Sequence, residues 1–140
     1  MTETALTPES ANQSTRGHLP GTLGIELLRF DEGRAEARLE VSERHMAVNG
    51  YLHAGTVVSL ADTAAGFGCM ANLPEGATSF TTIELKSNHL GTVRSGAIHC
   101  VADCLHGGRT TQVWESRVFA EESGKLLAKF TCTQLILYPR

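Results

Sequence analysis

Residues 54–71 read Ala-Gly-Thr-Val-Val-Ser-Leu-Ala-Asp-Thr-Ala-Ala-Gly-Phe-Gly-Cys-Met-Ala, and Asp62 is the single charged side chain in the run. The run is longer than an ordinary strand and stops ahead of Pro74, whose ring cannot continue a helix. It therefore predicts one helix from Ala54 to Ala71, and its nearly all-round apolarity predicts burial on most sides. An ionised carboxylate without partners is costly in such a place, so it is paired, protonated or used. Two readings of Asp62 stand: a structural acid held by Ser59, Thr63 or a neighbouring strand, or the centre of the chemistry.

Outward from the helix the period changes to two. Residues 33–42 alternate Ala35, Ala37, Leu39 and Val41 with Arg34, Glu36, Arg38 and Glu40, one buried face and one wet face. Residues 22–30 read as its hairpin partner through Asp31-Glu32-Gly33. After the helix, strands are predicted at 79–87, 97–105, 110–121 and 125–138, the last three as an antiparallel meander turning at His106-Gly107-Gly108 and Glu122-Ser123-Gly124. The order β-β-α-β-β-β-β predicts an α+β fold, with an antiparallel sheet of about six strands wrapped around one long central helix. Residues 1–20 are polar and read as a loose arm, and 21–140 as a single domain.

Composition narrows the partners. Twelve basic against fifteen acidic residues, with a net charge of −3, include no basic block to track a phosphate backbone, so no nucleic acid is expected. The start lacks the charged and apolar regions of a signal peptide, and Asp62, glycines and hydroxyl residues spoil 54–71 as a membrane span. The expectation is a soluble, cytoplasmic protein that binds no membrane. Of Cys69, Cys100, Cys104 and Cys132, only Cys100 and Cys104 are close in sequence, yet at i and i+4 on one strand they lie roughly 13 Å apart. They read as buried thiols, the histidines show no chelating spacing, and no metal is expected.

The segment Asn49-Gly50-Tyr51-Leu52-His53-Ala54-Gly55 leads into the helix, whose first amides are unpaired donors at the positive end of the dipole. An amide of Ala54 or Gly55 suits the oxyanion that forms when a carbonyl carbon is attacked. His53 either orients this loop or a substrate group, or simply caps the helix. Asp62 follows His53 by nine residues, roughly 13.5 Å along a helix. One substrate carbonyl cannot touch both on the same helix. The spacing predicts a symmetric homodimer in which Asp62 of one subunit meets the helix start of the other, giving composite active sites.

At these residues the chain resembles the hotdog-fold acyl-CoA thioesterases, particularly the group of phenylacetate-degradation thioesterases and one type of 4-hydroxybenzoyl-CoA thioesterase. The likeness runs from about Gly21 to Tyr138 and centres on Gly50-x-x-His53-Ala54-Gly55 followed by Ser59-Leu60-Ala61-Asp62-Thr63-Ala64. Lesser matches are Thr82 to Lys86, Gly108-Arg109-Thr110-Thr111 and Ser123 to Ala128. The resemblance implies that Asp62 is the catalytic carboxylate, as nucleophile or as general base on water. It implies that the Ala54 amide polarises the thioester carbonyl while His53 and Gly55 shape the loop. It also implies dimers that join two sheets, homotetramers, and small aromatic acyl groups of aromatic degradation. Coenzyme A is then part of the substrate, and no separate cofactor is required. Arg109, Thr110 and Thr111 are the candidates for its phosphates, with Asn88 and His89 behind them.

Two departures stand out. Ala54 replaces the first glycine of the family's H-G-G, and Ala47 stands where some relatives carry a polar side chain, a role that Asn49 is placed to take. No G-x-S-x-G elbow is present. The competing readings are a hydratase or dehydratase of the same fold, and a non-catalytic acyl-CoA binding or sensing module. A sensor would need an output element, and no helix-turn-helix or basic extension offers one.

Overall fold

The computed structural model describes residues 5–140. Helices α1 (Pro8–Ser14) and α2 (Leu19–Leu23) precede β1 (Glu26–Asp31) and β2 (Arg34–Glu40); a 3-10 turn, Glu43–His45, leads to α3 (Ala54–Ala71). Four strands follow: β3 (Ser79–His89), β4 (Ala97–Gly107), β5 (Thr111–Ala120) and β6 (Leu126–Leu137). They form one six-stranded antiparallel sheet in the order β1-β2-β4-β5-β6-β3. The fold is α+β, and the meander β4-β5-β6 is as the alternation predicted. What alternation does not encode is the long crossing from β2 to β3, which carries the chain over the sheet as α3 and leaves β3 at the far edge.

Helix α3 packs on the inner face against β2, β4 and β5. That face is small under the helix, with Ala35, Ala37 and Ala102 fully buried beside Trp114 and Phe130. Close approach is set by the helix glycines. A Cβ on Gly68 would lie 2.7 Å from the Trp114 ring, and one on Gly66 would lie 3.0 Å from that of Phe80. At its end the helix is tied to the β1–β2 hairpin by Asn72, which accepts from the Gly33 amide at 2.9 Å and donates to the Gly68 carbonyl at 2.8 Å. Buried surroundings push the thiols of Cys69, Cys100 and Cys132 up to about 12, as inert core groups.

The N-terminal segment differs from the expectation. Residues 5–20 are not a loose arm, and residues 22 and 23 belong to α2 rather than to β1. Thr7 and Ser10 form a capping box ahead of Pro8, and Ala11 is fully buried. Asn12 then behaves like a strand partner, accepting the Leu27 amide at 2.8 Å and donating to the Leu27 carbonyl at 3.0 Å. Pro20 in the first turn and Gly24 at φ +83° start and stop α2. Among the described residues no helix is long and apolar enough to cross a membrane.

Candidate active site

The approach to α3 is built from hydrogen bonds that converge on His45, a buried residue the sequence reading did not single out. Its Nδ1 accepts the Ser42 amide at 2.9 Å, which places the proton of the neutral ring on Nε2, 2.6 Å from the Leu23 carbonyl of α2. Its own carbonyl receives the His53 amide at 3.0 Å and the Thr56 hydroxyl at 2.9 Å. The incoming loop turns at Gly50, φ +87°, and Asn49 serves that turn by accepting the Tyr51 amide at 3.2 Å.

The first turn of α3 has a division of labour. Gly55 donates its amide to His53 Nδ1 at 2.7 Å, so the imidazole caps the helix. The Thr56 and Val57 amides return to the His53 carbonyl. Ala54 is left, exposed, with an amide that has no partner among the described residues. Of the two amides considered from sequence, Gly55 is engaged and Ala54 is free. A developing oxyanion needs such a donor at the positive end of a helix.

Asp62 lies two turns further along the same helix, partly buried. Burial pushes its carboxyl above the ordinary value of 3.8, and a hydrogen bond from the Thr82 hydroxyl on β3 at 3.2 Å opposes that rise. Neither Ser59 nor Thr63 holds it; the Ser59 hydroxyl donates instead to the Gly55 carbonyl. The carboxylate opens on a cleft of about 230 Å3 lined by Pro20, Thr63, Gly66, Phe67, Met70 and Phe80. Trp114 is fully buried in the core, whereas Phe67 and Phe80 pack against that core and are partly exposed in the cleft wall. A larger polar crevice of about 530 Å3 beside Asn12, Arg16 and Ile25 holds none of the chemistry-bearing residues.

The other candidates fall at two ends of the sheet. β3 runs against α3, with Phe80 beside Gly66, Thr82 bonded to Asp62, and Thr92 beyond its end accepting the Leu52 amide at 2.9 Å. Asn88 and His89 therefore lie toward the His53 end, exposed, and His89 is roughly 23 Å along the strand from Thr82. Thr111 pairs with Leu135, which pairs with Thr81, so the turn carrying Arg109 and Thr110 lies at the Asp62 end. One chain thus presents its candidate residues in two separated groups, one around Ala54 and one around Asp62. Among the described residues, no three His, Cys, Asp or Glu side chains gather into a metal-holding group.

The Thioesterase superfamily model matches residues 49–127, a span that holds Ala54, Asp62 and Thr82 but neither Pro20 of the cleft wall nor most of β6. The chain is 36% identical over 115 residues to a 1,4-dihydroxy-2-naphthoyl-CoA hydrolase of Listeria monocytogenes, covering 82% of this chain and 92% of that protein. It is 31% identical over 135 residues to the protein of that name in Escherichia coli, covering 94% and 96%. Among solved structures, a thioesterase from Haemophilus influenzae superposes with a TM-score of 0.89 at 32% identity, covering 96% of this chain and 93% of that one.

Proposed function

Since the chain belongs to the Thioesterase superfamily and is a thioester hydrolase of the hotdog fold, we propose that it cleaves acyl-CoA thioesters with short or aromatic acyl groups to the free acid and coenzyme A. The observation that carries this reading is Asp62 on the wall of an apolar cleft of about 230 Å3. A cavity of about 150 Å3 accommodates benzene, so one or two rings suit this cleft. The names of the Listeria and Escherichia relatives, which specify a naphthoyl thioester, support the aromatic choice.

In this reading the Ala54 amide polarises the thioester carbonyl and Asp62 either deprotonates the attacking water or attacks the carbonyl carbon itself. Thiolate leaves readily, so one carboxylate and one oxyanion donor suffice. His53 holds the loop in shape through Gly55. Arg109, Thr110 and Thr111 at one end, and Asn88 and His89 at the other, are the surfaces offered to the nucleotide of coenzyme A.

The two half-sites of one chain are brought together by a second copy. β3 bonds only to β6 among the described residues, and its free edge exposes Ile83 and Leu85. Antiparallel pairing of two such edges about a two-fold axis sets the Asp62 end of each protomer against the Ala54 end of its partner. A homodimer with composite sites follows, and its association into a homotetramer rests on family likeness.

Release of free thiol, followed with a disulfide reporter across phenylacetyl-, hydroxybenzoyl-, short-chain and long-chain acyl-CoA, tests the reading. Turnover of the aromatic or short thioesters that is absent in Asp62→Asn supports it. No turnover on any of them, or preference for the long chains, overturns it.

A further inference from the structure

The inner face of the sheet carries a polar row where the surrounding packing is apolar. Gln112, Gln134 and Thr82 stand in register across β5, β6 and β3, and both glutamines are closed off from solvent. Gln112 is paired at both polar atoms: its amide donates to the Asn72 carbonyl at 2.9 Å, and its carbonyl accepts the Trp114 indole proton at 2.7 Å. Gln134 is not. Its Oε1 lies 2.7 Å from Thr82 Oγ1, while its Nε2 has no partner.

Thr82 Oγ1 also lies 3.2 Å from Asp62 Oδ1, and a hydroxyl has one proton to give. If that proton goes to Gln134, Asp62 faces bare lone pairs and a buried NH2 group stays orphaned. The two orientations of a glutamine amide have nearly the same shape. Turning this one by half a turn puts Nε2 into the 2.7 Å contact as donor. The Thr82 proton is then free for Asp62, and the orphan becomes a carbonyl oxygen, which a protein core tolerates better than an orphan N–H.

We propose that Gln134 is a positioning residue: its Nε2–H donates to Thr82 Oγ1 and so commits the Thr82 hydroxyl proton to Oδ1 of Asp62. One carboxylate oxygen is thereby held and the other is left for the reaction. A fixed donor gives the buried glutamine a role here, since a rotating Thr82 hydroxyl would satisfy Asp62 only part of the time. The nearby titratable group on the facing strand, Cys132, is held up at about 12 and stays protonated.

The catalytic meaning of this relay rests on the reading of Asp62 above, so its test does not depend on turnover. The Asp62 carboxyl carbon is titrated by NMR in the wild type, Thr82→Val, Gln134→Met and the double variant, with Thr82→Ser as the conservative control. The expected result is an upward shift of the Asp62 midpoint in Thr82→Val, a shift in the same direction in Gln134→Met, no further shift in the double variant, and the wild-type midpoint in Thr82→Ser. An unmoved midpoint in Gln134→Met, or a Gln134→Met shift that persists when Thr82 is already valine, overturns the relay. Should Gln134→Met not fold, a cross-relaxation contact between the Gln134 amide protons and Thr82 in the wild type is the expected signature, and its absence overturns the proposal. Thiol release on the same samples is expected to show kcat about fivefold lower in Gln134→Met with KM unchanged. Absence of turnover in every sample would count against the thioesterase reading while leaving the titration to decide the relay.

Discussion

The His53 imidazole accepts the Gly55 amide proton at 2.7 Å, and this bond leaves Ala54 as the amide in the first turn of α3 with no partner among the described residues. A Cβ on Gly55 would sit 2.9 Å from His53 Nδ1, so the cap in this position requires the glycine.

Ala54 is the first residue of α3, where proline is well tolerated, and His53 before it has φ −64° and ψ 133°, a conformation that proline permits. Ala54→Pro therefore removes the free N–H without breaking the helix. We expect turnover to fall about 10²- to 10³-fold, the scale of a lost oxyanion donor, with unchanged circular dichroism.

Asp62→Asn is expected to lower turnover by at least about 10²-fold and to raise stability at neutral pH. The sign follows from burial, which lifts the folded-state carboxyl above its ordinary 3.8. Between those two values the folded state binds more protons than the unfolded one, so wild-type stability falls as pH rises through that window and is level above it. Melting curves of the two proteins should diverge across the window and converge below it.

If the sites are composite, mixing inactive Ala54→Pro with inactive Asp62→Asn protomers should regenerate activity, because each heterodimer then holds one intact site. Ile83→Asp, which places a charge on the open edge of β3, should yield monomers by light scattering and abolish turnover. Active monomers would rule out the arrangement.

Gly66→Ala and Gly68→Ala separate the cleft from the core. A methyl at Gly68 meets the fully buried Trp114, and we expect it to cost about 1–3 kcal/mol of stability. At Gly66 the methyl meets Phe80 on the cleft wall. There kcat/KM should fall about tenfold for the bulkiest acyl group and little for the smallest.

The docked N-terminal segment carries an expectation of its own. Asn12→Ala removes both bonds to Leu27 and should lower stability by about 1–3 kcal/mol. Deletion of residues 1–20 takes Pro20 from the cleft wall, and relative turnover should move toward larger acyl groups in a thiol-release panel.

Hydrophobic periodicity is local, and what it encodes was legible. The small-residue run gave the bounds of α3, alternation placed six strands within a few residues, and the solitary charge of Asp62 marked the helix position that faces the cleft. Where sequence failed, the determining partner was remote or the local signal was passed over. Thr7-Pro8 and Pro20 with Gly24 are ordinary start and stop signals for helices, yet polar composition suggested a loose arm. Only the docking of Asn12 on Leu27 shows why those short helices hold. A glutamine in the apolar alternation of β6 was a visible anomaly, but its meaning depends on the register that sets Gln134 opposite Thr82. The sequence by itself determined α3, the six strands and the face each one buries, because these follow from side-chain spacing along one segment. Tertiary structure alone decided that Thr82 meets Asp62, that Pro20 lines the cleft and that Gln134 stands beside Thr82, because these depend on where distant backbones cross.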